Sequence, residues 1–152
     1  MPRWALVPAF AKSVNTQKPW INAQTETLRS RRSFFGVKPD AAHRALIVAD
    51  GFYEWPKPEN KKAQGKTAPM RFVVDNGKPF AFAGLGVTAP HVEDGPMERC
   101  TIIICDARHN RVVAPVHKSM PVILPDPDQM IAWLDPAIGS KQALEMCLAA
   151  RP

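Results

Sequence analysis

Cysteine is scarce and poorly spaced for cross-linking: Cys100, Cys105 and Cys147 are odd in number, and none stands in a CxxC pair. This excludes a disulfide framework and a thiolate zinc site, and it points to a reducing compartment, with the cytoplasm as the expected location. His43, His91 and His109 lack the spacing of metal ligands, so neither a metal nor a cofactor is expected. Long hydrophobic runs are also missing. None reaches the ~18 residues of a membrane span, and the opening residues lack the basic-then-apolar layout of a signal peptide, so no membrane partner is expected. Rossmann and P-loop glycine patterns, internal repeats and linker-like stretches are absent as well, which removes the nucleotide-binding folds that those glycines announce.

What is present fits one domain. A chain of 152 residues is long enough to bury roughly 70% of the surface that its unfolded form exposes. Its sixteen prolines are scattered, at about twice the usual share of ~5%, which favours short elements and ordered loops over a helical bundle. Acids are the minority charge: fourteen Asp and Glu against twenty Lys and Arg leave a net charge of +6, and a polyanion is the natural partner for such a balance.

Along the chain, Trp4 to Val7 reads as a short strand followed by loop. "TETLRSRRSFF" (25–35) predicts a short basic helix with Thr25 as cap and Gly36 as stop. "RALIVADGFYEW" predicts a strand broken or bent at Asp50-Gly51, and the Lys-rich stretch 57–69 reads as loop. Asn76-Gly77 between two β-rich runs is a hairpin signal. "CTIIICDA" and "MPVIL" add strands. Asp126, Pro127 and Gln129 mark a capped helix start, and a last helix is expected after Ser140. The sum is a strand-rich α+β domain.

Asn22, Glu54, His117 and Trp4 are the residues whose chemistry stands out. Each has an ordinary reading: Asn22 satisfying backbone groups before a helix, Glu54 facing solvent from an edge strand, His117 a hydrogen-bonded core imidazole, and Trp4 plain core. Cys100 and Cys105 lie five apart on one expected strand and so point to opposite faces.

Six fragments, "WALVP", "INAQTET", "ADGFYEW", "PFAFAGL", "TIII" and "VHKSMPVIL", run in an order and at separations that resemble the SRAP (SOS response-associated peptidase) family along nearly the whole chain. The resemblance implies an α+β fold with a barrel-like mixed sheet and short peripheral helices, a positively charged cleft for single-stranded DNA, and a monomer for the complete family fold. It also implies covalent capture of abasic sites. The α-amine of an N-terminal cysteine, exposed when the initiator Met is removed, condenses with the sugar aldehyde, and the thiol then closes a thiazolidine. By motif, Glu54 matches the family's proton-shuttling glutamate, with Phe52 on its side and Tyr53 and Trp55 packing behind. Asn22 matches the asparagine that orients cysteine and sugar, His117 the histidine at the opened sugar, and Trp4 a tryptophan lining the DNA cleft. Gln24, Arg29, Arg31 and Lys118 are the remaining expected DNA contacts.

The sequence departs from the family's pattern in three places. The family's Met-Cys-Gly-Arg opening has no counterpart, so the expectation is an SRAP domain over 1–152 that is N-terminally truncated relative to the family. Gln24 and Ser119 stand where the family has arginines. Two rival readings follow: a non-catalytic DNA-binding module of the same fold, and a cysteine peptidase using Cys105 with His117.

Overall fold

The computed structural model describes residues 3–6, 20–28, 41–56, 67–89 and 97–149. Among them run the strands β1 (Arg3–Trp4), β2 (Asn22–Gln24), β3 (Arg44–Ala49), β4 (Phe52–Glu54), β5 (Met70–Phe72), β6 (Phe80–Ala89), β7 (Met97–Asp106), β8 (Ser119–Pro121) and β9 (Ile123–Leu124). The helices α1 (Pro127–Leu134) and α2 (Ser140–Ala149) follow. This is the expected strand-rich α+β class with a mixed sheet. Among the described residues the sheet stays open, ending at β3 on one side, instead of closing like a barrel.

β7 organises the sheet. Its residues alternate, with Arg99, Thr101, Ile103 and Cys105 buried while Cys100, Ile102 and Ile104 are half-buried, as period two requires. One edge takes β1 and β2, both parallel, at Trp4↔Cys100 and Asn22↔Ile102. The other edge pairs antiparallel with β6 as far as Gly84↔Ile102 and then, from Ile104↔Pro121, with β8. Beyond Gly84 and Ile102 the two long strands part, and residues 119–124 fill the fork, β8 on β7 and β9 on β6. Val122 sits at the crotch: its N–H donates to Ile103 O and its own carbonyl accepts from Ala83 N–H, both at 2.9 Å.

The Asn76-Gly77 signal is a real turn but not a hairpin. Asp75, Asn76 and Gly77 have φ of 42°, 59° and 86°, the left-handed region that Asn and Gly tolerate. Yet β5 pairs with β4, while β6 pairs with β3. The two stretches form one ribbon in which Phe52 faces Phe72 and Ala49 faces Phe80, so residues 50–51 stand opposite 73–79 and the turn projects from the longer side. Turn chemistry is local, whereas pairing follows the register that buries Phe80 and Phe82.

The kink at Asp50-Gly51 is where it was expected. A Cβ at Gly51 would lie 2.7 Å from Phe72 O, closer than a carbon can approach. Gly51→Ala is therefore expected to push β4 away from β5 and cost about 1–3 kcal/mol of stability, read as a lower midpoint in urea at unchanged slope. The displaced β4 is held to the main sheet by its aromatic side chain. Phe52 stacks on Phe72 at 5.1 Å and meets Phe82 edge-on at 6.0 Å.

α1 starts as predicted: Asp126 Oδ1 accepts from Gln129 N–H at 3.0 Å, and Pro127 fills the first turn. In α2 the bond from Ala143 N–H to Gly139 O makes Gly139, one residue before Ser140, the capping position. Trp133 of α1 is fully buried and donates its indole N–H to Ala45 O at 3.0 Å. Arg44, itself buried, lies over the same ring at 5.7 Å and donates to Asp135 O and Ile138 O, tying β3 to the helical corner. Residues 25–28 form a turn, and the rest of the basic helix expected over 25–35 lies outside the described residues, as do Val7 and the Lys-rich stretch 57–66. Among the described residues no helix is long and apolar enough to cross a membrane.

Candidate active site

Glu54 ends β4, opposite Met70 of β5, and the kink at Gly51 carries it off the line of β3. His117 arrives from the other side of the fork, on the turns that link β7 to β8. Asn110 shapes that link. It is buried, and its Oδ1 accepts from Val112 N–H at 3.0 Å and Val113 N–H at 2.8 Å. Val113 O then accepts from the backbone N–H groups of Val116 and His117, both at 2.9 Å. Sequence reasoning missed Asn110. The signal was an Asn directly before a short polar-apolar turn, a position where its side chain can satisfy backbone N–H groups.

The imidazole is fixed at one nitrogen. His117 Nδ1 lies 2.8 Å from Ser119 O and 3.6 Å from Glu54 Oε2. Ser119 N–H also approaches Nδ1, at 3.3 Å, and would donate to it in the other tautomer; the tautomer with its proton on Nδ1 donates to the Ser119 carbonyl at the shorter distance and leaves Nε2 as the acceptor. Burial pushes the Glu54 carboxyl above its ordinary range, and the neighbouring His117 pulls it back in part. A carboxyl so placed exchanges protons closer to neutrality than a free one does.

Asn22, Glu54 and His117 open onto one cavity of about 190 Å³, walled by Phe52, Phe82 and Ile102. The apolar wall explains the upward shift at Glu54. A second, larger cavity of about 740 Å³ adjoins it, with Ile104 and Ser119 contributing to both. Gln24 and Lys118 line this second space together with Glu26, Asp106 and Arg108.

The other expected residues lie elsewhere. Trp4 is 44% exposed on β1, paired beside Cys100, and does not border the Glu54 cavity. Arg29 and Arg31 lie outside the described residues. Tyr53 and Trp55 do not pack behind Glu54: each is 55% exposed, because β4 pairs only with the short β5 and leaves that face uncovered among the described residues. The pairing of Cys105 with His117 is not formed. Cys105 belongs to the buried core on the opposite face of β7 from Ile102 and Ile104, the residues that border the histidine's cavity. Cys100, half-buried, has its thiol pushed up by burial, which disfavours the nucleophilic thiolate. Among the described residues no three His, Cys, Asp or Glu side chains are grouped to hold a metal ion.

Known proteins resemble this chain in sequence and in fold. The chain is 39% identical over 135 residues to the abasic site processing protein YoqW of Bacillus subtilis, covering 88% of this chain and 56% of that protein. It is 28% identical over 162 residues to the abasic site processing protein HMCES of Gallus gallus, covering 95% and 47%. The chain thus spans about half the length of the curated relatives that it matches. A crystal structure from Bordetella bronchiseptica superposes with a TM-score of 0.77 at 24% identity, over 95% of this chain and 68% of that one, and shows the same fold. The family model for SOS response associated peptidase (SRAP) matches residues 1–152. The chain belongs to the SRAP family.

Proposed function

We propose that this protein processes abasic sites in single-stranded DNA as part of the response to DNA damage, holding the ring-opened deoxyribose in the Glu54–His117 cavity for covalent capture. The observation that carries the proposal is the 3.6 Å approach of His117 Nδ1 to Glu54 Oε2 in a small, apolar-walled cavity that Asn22 also borders. An aldehyde there can be attacked by the α-amine of an N-terminal cysteine. The resulting carbinolamine loses its hydroxyl as water when Glu54 supplies a proton, and the N–H proton of the iminium so formed returns to the Glu54 carboxylate, leaving an imine. The thiol then adds to the imine carbon and its proton passes to nitrogen, closing a five-membered thiazolidine. His117, with Nε2 free to accept, serves the proton transfers at the sugar oxygen. Asn22 supplies neutral hydrogen bonds that orient the reactants without adding charge. Removal of an initiator Met by the same groups is the peptidase-like part of this reading.

The test uses single-stranded oligonucleotides with one abasic site, the 152-residue chain, and a form extended upstream to a Met-Cys-Gly-Arg opening. A heat-stable shift with the extended form, abolished when its cysteine is replaced by serine, is the expected result. Salt-sensitive binding with no covalent product from either form would sink the capture mechanism and leave a non-catalytic DNA-binding module, the reading that Gln24 and Ser119 favour by removing two arginines.

A further inference from the structure

The larger cavity beside the Glu54 site holds an arginine that no family motif in this sequence singles out. Arg108 donates from Nε (2.9 Å) and Nη2 (2.6 Å) to Asp106 Oδ2, while its backbone N–H donates to Asp106 Oδ1 at 2.8 Å. The side chain is 71% exposed, and the pair of bonds to one carboxylate oxygen turns the guanidinium toward Asp106 while its remaining N–H groups are left over, since five donors are available and two are used. Ala107 N–H donates to Lys118 O at 2.9 Å, which keeps the end of β7 registered with Lys118 and brings Arg108 alongside it. Both cations line the cavity that shares Ile104 and Ser119 with the Glu54 cavity.

Charge makes the pair necessary. The same cavity carries the carboxylates of Glu26 and Asp106, so Arg108 and Lys118 bring it only to neutrality. Without either of them it would repel an anion. Gln24 and Ser119, the other polar side chains there, are uncharged.

We propose that Arg108, positioned by Asp106, binds the phosphodiester of the nucleotide that neighbours the captured sugar, taking over from another element of the fold the role that arginines at positions 24 and 119 would have filled. This rests on the function proposed above and adds to it the residue that grips the strand. A phosphate entering the cavity meets a pre-oriented planar donor, the geometry that favours arginine over lysine for such contacts.

The test is noncovalent binding of the 152-residue chain to a fluorescent single-stranded oligonucleotide bearing a tetrahydrofuran abasic analogue, which cannot form an imine, over a range of salt concentrations. Arg108→Gln is expected to weaken binding about tenfold and to reduce the slope of log affinity against log salt by about 0.7. Asp106→Asn distinguishes positioning from simple charge. It removes a negative charge from the cavity, so charge alone predicts tighter binding, whereas loss of the clamp predicts weaker binding, and the double variant should then be no weaker than Arg108→Gln. Arg108→Gln within about twofold of the parent at unchanged slope would overturn the site. Tighter binding by Asp106→Asn would overturn the positioning. A parent chain that binds abasic and intact strands alike would count against the proposed function, while the salt slopes would still decide the role of Arg108.

Discussion

Replacing Glu54 by Gln is expected to slow covalent capture of an abasic oligonucleotide by the Met-Cys-extended form about 100- to 10,000-fold, while noncovalent binding of a tetrahydrofuran-containing strand stays within about twofold. The substitution keeps the shape of the side chain and removes its charge and its titratable proton, so a selective loss of rate places this side chain in the chemical step and not in binding. Equal losses in rate and binding would show that Glu54 serves as a contact instead. The same variant carries a stability signature of opposite sign. Burial raises the Glu54 carboxyl above its ordinary value of 4.5, so between that value and the raised one the folded chain holds a proton that the unfolded chain has released. Stability from this group is complete below the ordinary value and is lost as pH rises through the folded one. Glu54→Gln should therefore melt higher than the parent at neutral pH, with the difference shrinking toward zero in acid. A site that costs the fold stability at working pH is the usual signature of a functional group. An unchanged or lowered melting temperature at neutral pH would show that the carboxylate is satisfied where it stands.

The second large effect is structural. Trp133→Ala is expected to cost about 3–5 kcal/mol, because a fully buried ring is removed from the junction of α1 and β3. For a chain of this size each kcal/mol lowers the melting temperature by roughly 2–4 °C, so a fall on the order of 10 °C follows. Two further losses sit inside that figure. Ala45 O loses the indole N–H that donates to it at 3.0 Å, and Arg44 loses the ring it lies over. Arg44 is buried, and among the described residues its Nε and Nη1 have no hydrogen-bond partner, so the aromatic face adds to the two carbonyls bound by Nη2 in stabilising its charge there. Trp133→Phe keeps a face for Arg44 and most of the volume but removes the indole bond to Ala45 O, which stays paired in the β3–β6 ladder, and about 0.5–1.5 kcal/mol is expected for it. Should the alanine variant fail to fold, the phenylalanine variant still decides the matter by urea denaturation: a loss below that range would place the anchor of the helical corner elsewhere.

Local chemistry was readable from local sequence. Asp126, Pro127 and Gln129 specify a helix start through a cap, a fixed φ and a waiting N–H, and these act over four residues. Asp50-Gly51 is readable as a break for a similar reason. What could not be read is which strands meet. Asn76-Gly77 announces positive φ correctly, but whether the flanking runs pair with each other depends on partners far along the chain. "MPVIL" reads as one strand because nothing in those residues records that β6 and β7 separate and that each takes half of it. The site divides in the same way. Glu54 and His117 are single residues with ordinary readings, and only the family resemblance joins them before the fold does. Arg108 went unnoticed because Asp-Ala-Arg at the end of a strand looks like a solvated turn. Its cavity exists only once β2, β7 and β8 are side by side.

The fork between β6 and β7 divides the site by how readily each half can open. Val122 is bonded to both long strands, so exchanging its amide hydrogen with solvent requires those strands to come apart, an event close to global unfolding. His117, two residues ahead of β8 and bonded to Ser119 O, is anchored to that slowly exchanging region. Glu54 stands on a two-stranded ribbon whose backbone pairs are few and whose outer face is wet, and its amides can exchange through small local openings. Hydrogen exchange is therefore expected to be slower around the imidazole than along the carboxylate's strand, which Phe52 ties to the main sheet through Phe82.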